Sequence, residues 1–141
     1  MSRRKLPTAT PLPKALACGI LEDTGRVLFL SRLFVSGEFV FELPSVLVYS
    51  GRSPVAEIRA EFSRQTGIDG EIHEISLEGR FNAGSRKRKV WVPALGFKVT
   101  SKNRAAHPSS EFAGFKWLSL DEVRNKKLKL GRNSEWLRRL G

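Results

Sequence analysis

Apolar and polar positions recur along the chain with enough regularity to divide it into elements. Lys14–Leu21 (KALACGIL) reads as a strand of small and apolar residues. Glu22-Asp23-Thr24-Gly25 supplies a turn, and Arg26–Leu33 (RVLFLSRL) returns as a second strand, which predicts a hairpin. After a connection over Phe34–Glu38, the pattern gives a short strand at Phe39–Leu43 and another at 45–49 (SVLVY). A helix follows: Ser53 suits its N-cap, Pro54 its first position and Gly67 its stop. Val55, Ile58 and Phe62 fall at i, i+3 and i+7, forming the stripe that packs on a sheet, with Glu57, Glu61 and Arg64 on the other face.

The second half is richer in strands. Glu71–Phe81 alternates Ile72, Ile75 and Leu77 with polar neighbours, slightly out of step. A loop at Asn82–Lys89 carries the run Arg86-Lys87-Arg88-Lys89, and Val90–Thr100 returns as a strand, with Pro93 pointing to an edge or a bulge. A polar loop, Ser101–Ser110, precedes a last strand at Phe112–Leu118, and Ser119–Val123 opens a helix. A terminal helix, EWLRRL, is expected behind a cap at Asn133 or Ser134, with Arg138 and Arg139 at its favourable end. Trp91, Phe97 and Trp117 lie on strands and are expected to face the core, where large aromatics usually go. Strands and helices so mixed give an α/β (α+β) class. Residues 1–13, with three basic residues and three prolines, read as a flexible basic arm, and 14–141 as one domain.

Composition changes this picture in two ways. An apolar fraction of 40% supports a folded core, and a single cysteine, Cys18, allows no intrachain disulfide. No cysteine/histidine cluster offers a zinc site, and His73 and His107 stand alone. No apolar run is long enough to span a membrane, and the basic start lacks the apolar core of a signal peptide, so an intracellular, cytoplasmic protein without a membrane partner is expected. The formal net charge is +11 and is strongly polarised: residues 1–78 carry −1 and residues 79–141 carry +12. Arg86–Lys89 next to Trp91, and Lys126, Lys127 and Lys129 further on, suit phosphate contacts and base stacking, so RNA or another nucleic acid is the expected partner.

The stretch FELPSVLVYSGRSPVAEIRAEFSRQTGI (41–68) resembles the signature of the Nudix superfamily, G-x5-E-x7-R-E-U-x-E-E-x-G-U, with its spacing intact. Val46 stands where the first Gly belongs, Arg52 at the first Glu, Ala60-Glu61 at Arg-Glu, Arg64-Gln65 at Glu-Glu and Gly67-Ile68 at Gly-U. The strand–turn–strand opening, with Arg32 as its terminal basic residue, and the SEF…FKWLSLDEV segment extend the resemblance from about Lys14 to Val123. It implies an α/β/α sandwich around a mixed sheet.

Active Nudix enzymes hydrolyse nucleoside diphosphate derivatives, using box carboxylates to hold magnesium or manganese. Divalent ions of this kind require hard oxygen ligands. Here the box is degenerate: of the carboxylate cluster only Glu61 remains, with Arg64 a cation at a ligand position and Gln65 a neutral, weaker one. Glu57, one turn before Glu61, and Glu111 from its loop are the candidate replacements if the chain is an enzyme. Otherwise no cofactor is expected, Glu61 makes a surface pair with Arg64, and Arg52 and Arg64 bind phosphate directly. Three functions follow as alternatives: an inactive Nudix-fold protein that binds RNA or another phosphate-rich ligand, as a subunit of a ribonucleoprotein or other nucleic-acid assembly; a metal-dependent pyrophosphohydrolase with displaced ligands; and a non-cleaving nucleotide sensor or scaffold.

Overall fold

The computed structural model describes residues 11–140; residues 1–10 of the expected basic arm, and Gly141, lie outside the described residues. Among the described residues seven strands form one sheet: β1 (Ala15–Asp23), β2 (Arg26–Leu33), β3 (Phe39–Glu42), β4 (Ser45–Val48), β5 (Glu71–Asn82), β6 (Trp91–Thr100) and β7 (Gly114–Leu118). Their order is β3-β2-β1-β6-β5, with β4 also on β1 and β7 also on β2. Only β1 and β6 run parallel, from Leu16↔Ala94 to Leu21↔Val99, so the sheet is mixed. The β1–β2 hairpin closes with Glu22↔Val27 and Asp23↔Arg26. The earlier part of β1, Ala15 to Cys18, pairs instead with β4.

β1 explains why the first apolar run has no polar alternation: both of its faces are covered. Leu16, Cys18 and Ile20 enter one buried cluster, while Ala15, Ala17 and Leu21 enter those on the opposite face. Helix α1 (Pro54–Thr66) covers the second face, capped by Ser53, whose hydroxyl accepts from Ala56 N–H, and stopped by Gly67 at φ 73°. Ile58 and Phe62 are its fully buried apolar side chains. Gly19 permits this contact, since a Cβ there would lie 2.5 Å from the Phe62 ring. The first face is covered by α2 (Leu120–Arg124), which starts with a Ser119/Glu122 capping box, and by a 3₁₀ segment, Arg132–Arg139. Val123, Trp136 and Leu137 deliver its buried contacts.

Two expectations need correction. The terminal helix is 3₁₀ and has no side-chain cap, because it starts at Arg132 behind Gly131, which leaves Asn133 and Ser134 inside it and free to make other bonds. Ser134 Oγ accepts from Leu43 N–H at 2.8 Å and donates to Asn133 Oδ1. The last strand starts at Gly114, not Phe112: Phe112 N–H is turned back to the Ser109 carbonyl. Pro93 takes the edge position expected of it, not a bulge: it sits one residue ahead of the β1–β6 pairing, where β6 has only β5 beside it. The register shifts lie on β5 at Ile72/Ile75 and Ile75/Leu77, which explains the broken alternation there.

Candidate functional site

Helical spacing places Glu61, Arg64 and Gln65 on one face of α1, at i, i+3 and i+4. Arg64 Nε and Nη2 donate to Glu61 Oε1 at 3.1 and 2.9 Å, and Nη1 donates to Glu111 Oε1 at 2.8 Å. Ser109 Oγ donates to the same Glu111 oxygen at 2.8 Å. Arg32, at the end of β2, lies 3.9 Å from Glu111 Oε2 and donates to Glu42 at 2.6 Å. Asn133 Nδ2 links Glu42 Oε2 (3.0 Å) to Ser45 Oγ (2.6 Å). Gln65 Nε2 closes the circuit, donating to Ser45 O and to Glu61 Oε1, each at 2.9 Å. A ring of alternating donors and acceptors thus joins α1, the loop before β7, β2, β3, β4 and the 3₁₀ segment.

The ring sets local electrostatics. Arg64 holds the Glu61 carboxyl below its ordinary range, chiefly through their hydrogen bonds, with Gln65 adding to this. Glu111 is lowered as well, by Ser109 first and Arg64 second. Depressed native pKa values contribute stability above the unfolded carboxyl value and lose it as pH falls through the native values. Thermal midpoints should therefore fall between about pH 5 and pH 3, on either side of the ordinary glutamate value. Arg64→Met should flatten that slope. An unchanged slope in melts at the two pH values would assign the acid sensitivity elsewhere.

The residues present do not fit the magnesium or manganese that the resemblance implies. Glu61 and Glu111 already share a guanidinium, and no three His, Cys, Asp or Glu side chains gather as a metal-binding group among the described residues. Glu57 lies one turn earlier on α1 and enters no side-chain hydrogen bond among the described residues. Arg64 is therefore brought to carboxylates, and the expected surface pair with Glu61 is present. Arg52, exposed before the helix, is twelve residues from Arg64. Sequence reasoning missed Glu42, Ser45 and Asn133 as ring members; the one local signal was a glutamate inside the apolar run FVFEL.

The basic run occupies the end of the β5–β6 hairpin. Asn82 Oδ1 accepts from Gly84 N–H and Val90 N–H, both at 2.9 Å, and Ser85 Oγ accepts from Arg88 N–H. Gly84 is needed because a Cβ would lie 2.0 Å from the Arg88 carbonyl oxygen. The folded loop leaves Arg86, Lys87, Arg88 and Lys89 exposed. Lys126 and Lys127 are exposed after α2, whereas Lys129 pairs with Glu38 at 3.4 Å. Phe97 is buried and Trp117 half-buried, but Trp91 is 41% exposed, against expectation. α1 covers β6 around Phe97 and Val99, and Trp91 begins the strand six residues earlier, at ~3.3 Å per residue. Cys18 is fully buried, which pushes its thiol up to about 12 and leaves it inert. No helix among the described residues is long and apolar enough to cross a membrane.

No protein-family model matches this sequence, and no curated protein matches it. Solved structures do match in fold. A MutT protein from Methanosarcina mazei has a TM-score of 0.68 at 18% identity, with 94% of this chain and 95% of that one covered. The dihydroneopterin triphosphate pyrophosphohydrolase of E. coli gives 0.63 at 16%, covering 94% and 97%. A Nudix hydrolase from Nitrosomonas europaea gives 0.59 at 16%, covering 82% and 78%. The architecture, a mixed sheet with helical layers, is that of Nudix hydrolase structures.

Proposed function

We propose that this chain is a Nudix-fold protein that does not hydrolyse nucleoside diphosphate derivatives and that binds RNA through its basic second half. The observation that carries the reading is Arg64, bridging Glu61 at 2.9 Å and Glu111 at 2.8 Å. On the box alignment, a cation stands at a ligand position and has drawn the remaining carboxylates to itself. Mg²⁺ needs hard oxygen ligands in near-octahedral array, and entry here requires breaking charge-assisted hydrogen bonds first. Arg52 at the first acidic position and Val46 at the first glycine position point the same way. Val46 belongs to a regular strand, paired with Ala17, which suits a β-branched residue and not a glycine loop.

The positive charge supports the RNA half of the reading. Arg86–Lys89 project from a folded hairpin loop and pair with no carboxylate among the described residues. Such a surface also fits a subunit within a ribonucleoprotein.

Two assays test the two halves. Nucleoside diphosphate derivatives incubated with Mg²⁺ and then Mn²⁺ should show no turnover; metal-dependent turnover that disappears in Glu61→Gln would overturn inactivity. RNA affinity should fall steeply with salt, with a log–log slope of about −0.7 per phosphate contacted. Absent or salt-independent binding would overturn the RNA reading.

A further inference from the structure

We infer that the groove between the β5–β6 hairpin and the 3₁₀ segment holds a single-stranded nucleic acid, one base stacking at Trp91 and phosphates lying on Arg80, Lys89, Arg132 and Arg139. This deepens the RNA-binding reading and rests on it. Two hollows, of about 210 and 420 Å³, share Arg80, Trp91, Trp136 and Arg139 as walls. A third, about 330 Å³, continues through Phe81 and Arg132 toward Glu42, Ser45 and Asn133 of the polar ring. The depression is therefore a track, not an isolated pit.

Its chemistry is that of a strand site. Trp91 is 41% exposed, whereas Trp136 is 2% exposed and packed in the core. The Arg80 guanidinium carbon lies 4.8 Å from the Trp91 ring centroid and that of Arg139 lies 5.7 Å away. A guanidinium beside an aromatic ring still presents a fork of N–H donors suited to phosphate. Arg132 lies 5.5 Å from the Phe81 ring and is anchored by donation to the Asn82 and Gly84 carbonyls. Anchoring sets its place without neutralising its charge.

Charge balance decides between this face and the box. Arg32 and Arg64 each reach carboxylates, but among the described residues Arg80, Lys89, Arg132 and Arg139 pair with none. Glu135 in the groove lies 3.8 Å from Arg138, which takes up part of its charge. Glu78 also lines the groove, but Arg80, Lys89, Arg132 and Arg139 outnumber it and Glu135, and a net positive wall around a part-exposed indole selects a polyanion with free aromatic faces. Single strands offer both; a duplex hides its base faces in its own stack.

The test is fluorescence anisotropy of a labelled uridine oligomer of about ten nucleotides, long enough for one site, with the full chain. The matching deoxy-oligomer, a duplex and poly-glutamate serve as competitors. Trp91→Ala should weaken binding by at least about fivefold, the lower bound for losing one stacked base, and Trp91→Phe should recover most of it. Arg80→Ala and Arg139→Ala should each make the salt slope shallower by close to one phosphate's share. Equal affinity for RNA and DNA supports a site reading bases and phosphates; tighter RNA binding supports added contacts to the 2′-hydroxyl. Wild-type binding that Trp91→Ala leaves intact, or equal competition by duplex or poly-glutamate, overturns the groove while the RNA-binding reading stands. No oligomer binding even at low salt overturns both. Thermal melts confirm that each variant is folded.

Discussion

Phe62→Ala should lower the free energy of unfolding by about 3–5 kcal/mol, the range for deleting a buried aromatic side chain. Phe62 is fully buried and packs with Leu21, Leu28, Ile68, Val99 and Ala106. The sheet beneath it is tailored to the ring: a Cβ at Gly19 would lie 2.5 Å from it, and one at Gly70 3.2 Å. Two positions without side chains cannot move in to fill the space, so the cavity should persist and the cost fall toward the upper part of the range. Against a typical total of about 5–15 kcal/mol, that is a large fraction. Urea melts of the two proteins would measure it. A loss near 1 kcal/mol would mean that α1 is held to the sheet by something other than this ring.

Gln65→Glu should destabilise the protein at neutral pH by about 2–4 kcal/mol, although it moves the sequence toward the Nudix box. The Gln65 amide nitrogen donates to the Ser45 carbonyl and to Glu61, each at 2.9 Å, and the residue is 6% exposed. A carboxylate there has no donor for either acceptor and faces the Glu61 charge at close range. Both effects, with burial, raise the native pKa of the new carboxyl above its unfolded value, so the sign is opposite to that of Glu61. The penalty is fully present above the native pKa, shrinks as pH falls through it and vanishes below the unfolded value of about 4.3. Chemical denaturation at pH 7 and pH 4 would measure this. Equal losses at both would show that the cost is steric, not electrostatic. A neutral amide donor is thus what the Ser45 carbonyl and the Glu61 carboxylate require at this position.

Most element types were legible in the sequence because they depend on local signals. Ser53, Pro54 and Gly67 bound α1 in the structure as they do in the pattern, since capping and left-handed backbone are settled within a few residues. Ser119 and Glu122 mark α2 for the same reason. The unbroken apolar run of β1 announced a strand, but that both of its faces are covered, and by which neighbours, came only with the fold.

The terminal segment shows where local reasoning stops. Asn133 and Ser134 have good capping chemistry, yet Leu43, Glu42 and Ser45, some ninety residues earlier, engage them instead. Trp91 was hidden by composition: an aromatic residue on a strand belongs inside unless the covering helix ends short of it, and the helix's reach is a tertiary fact.

By itself, the sequence determined most of the strands, the start and stop of α1 and α2, and the concentration of positive charge after residue 78. All of these follow from residue identity and near-neighbour spacing. Only the tertiary structure decided which charges cancel. Arg64 and Arg32 meet carboxylates from distant segments, while Arg80 and Arg139 meet an exposed indole and no acid among the described residues. Coulomb interactions and hydrogen bonds act through distances in space, and residues 47 or 79 positions apart come within reach only when the sheet has closed.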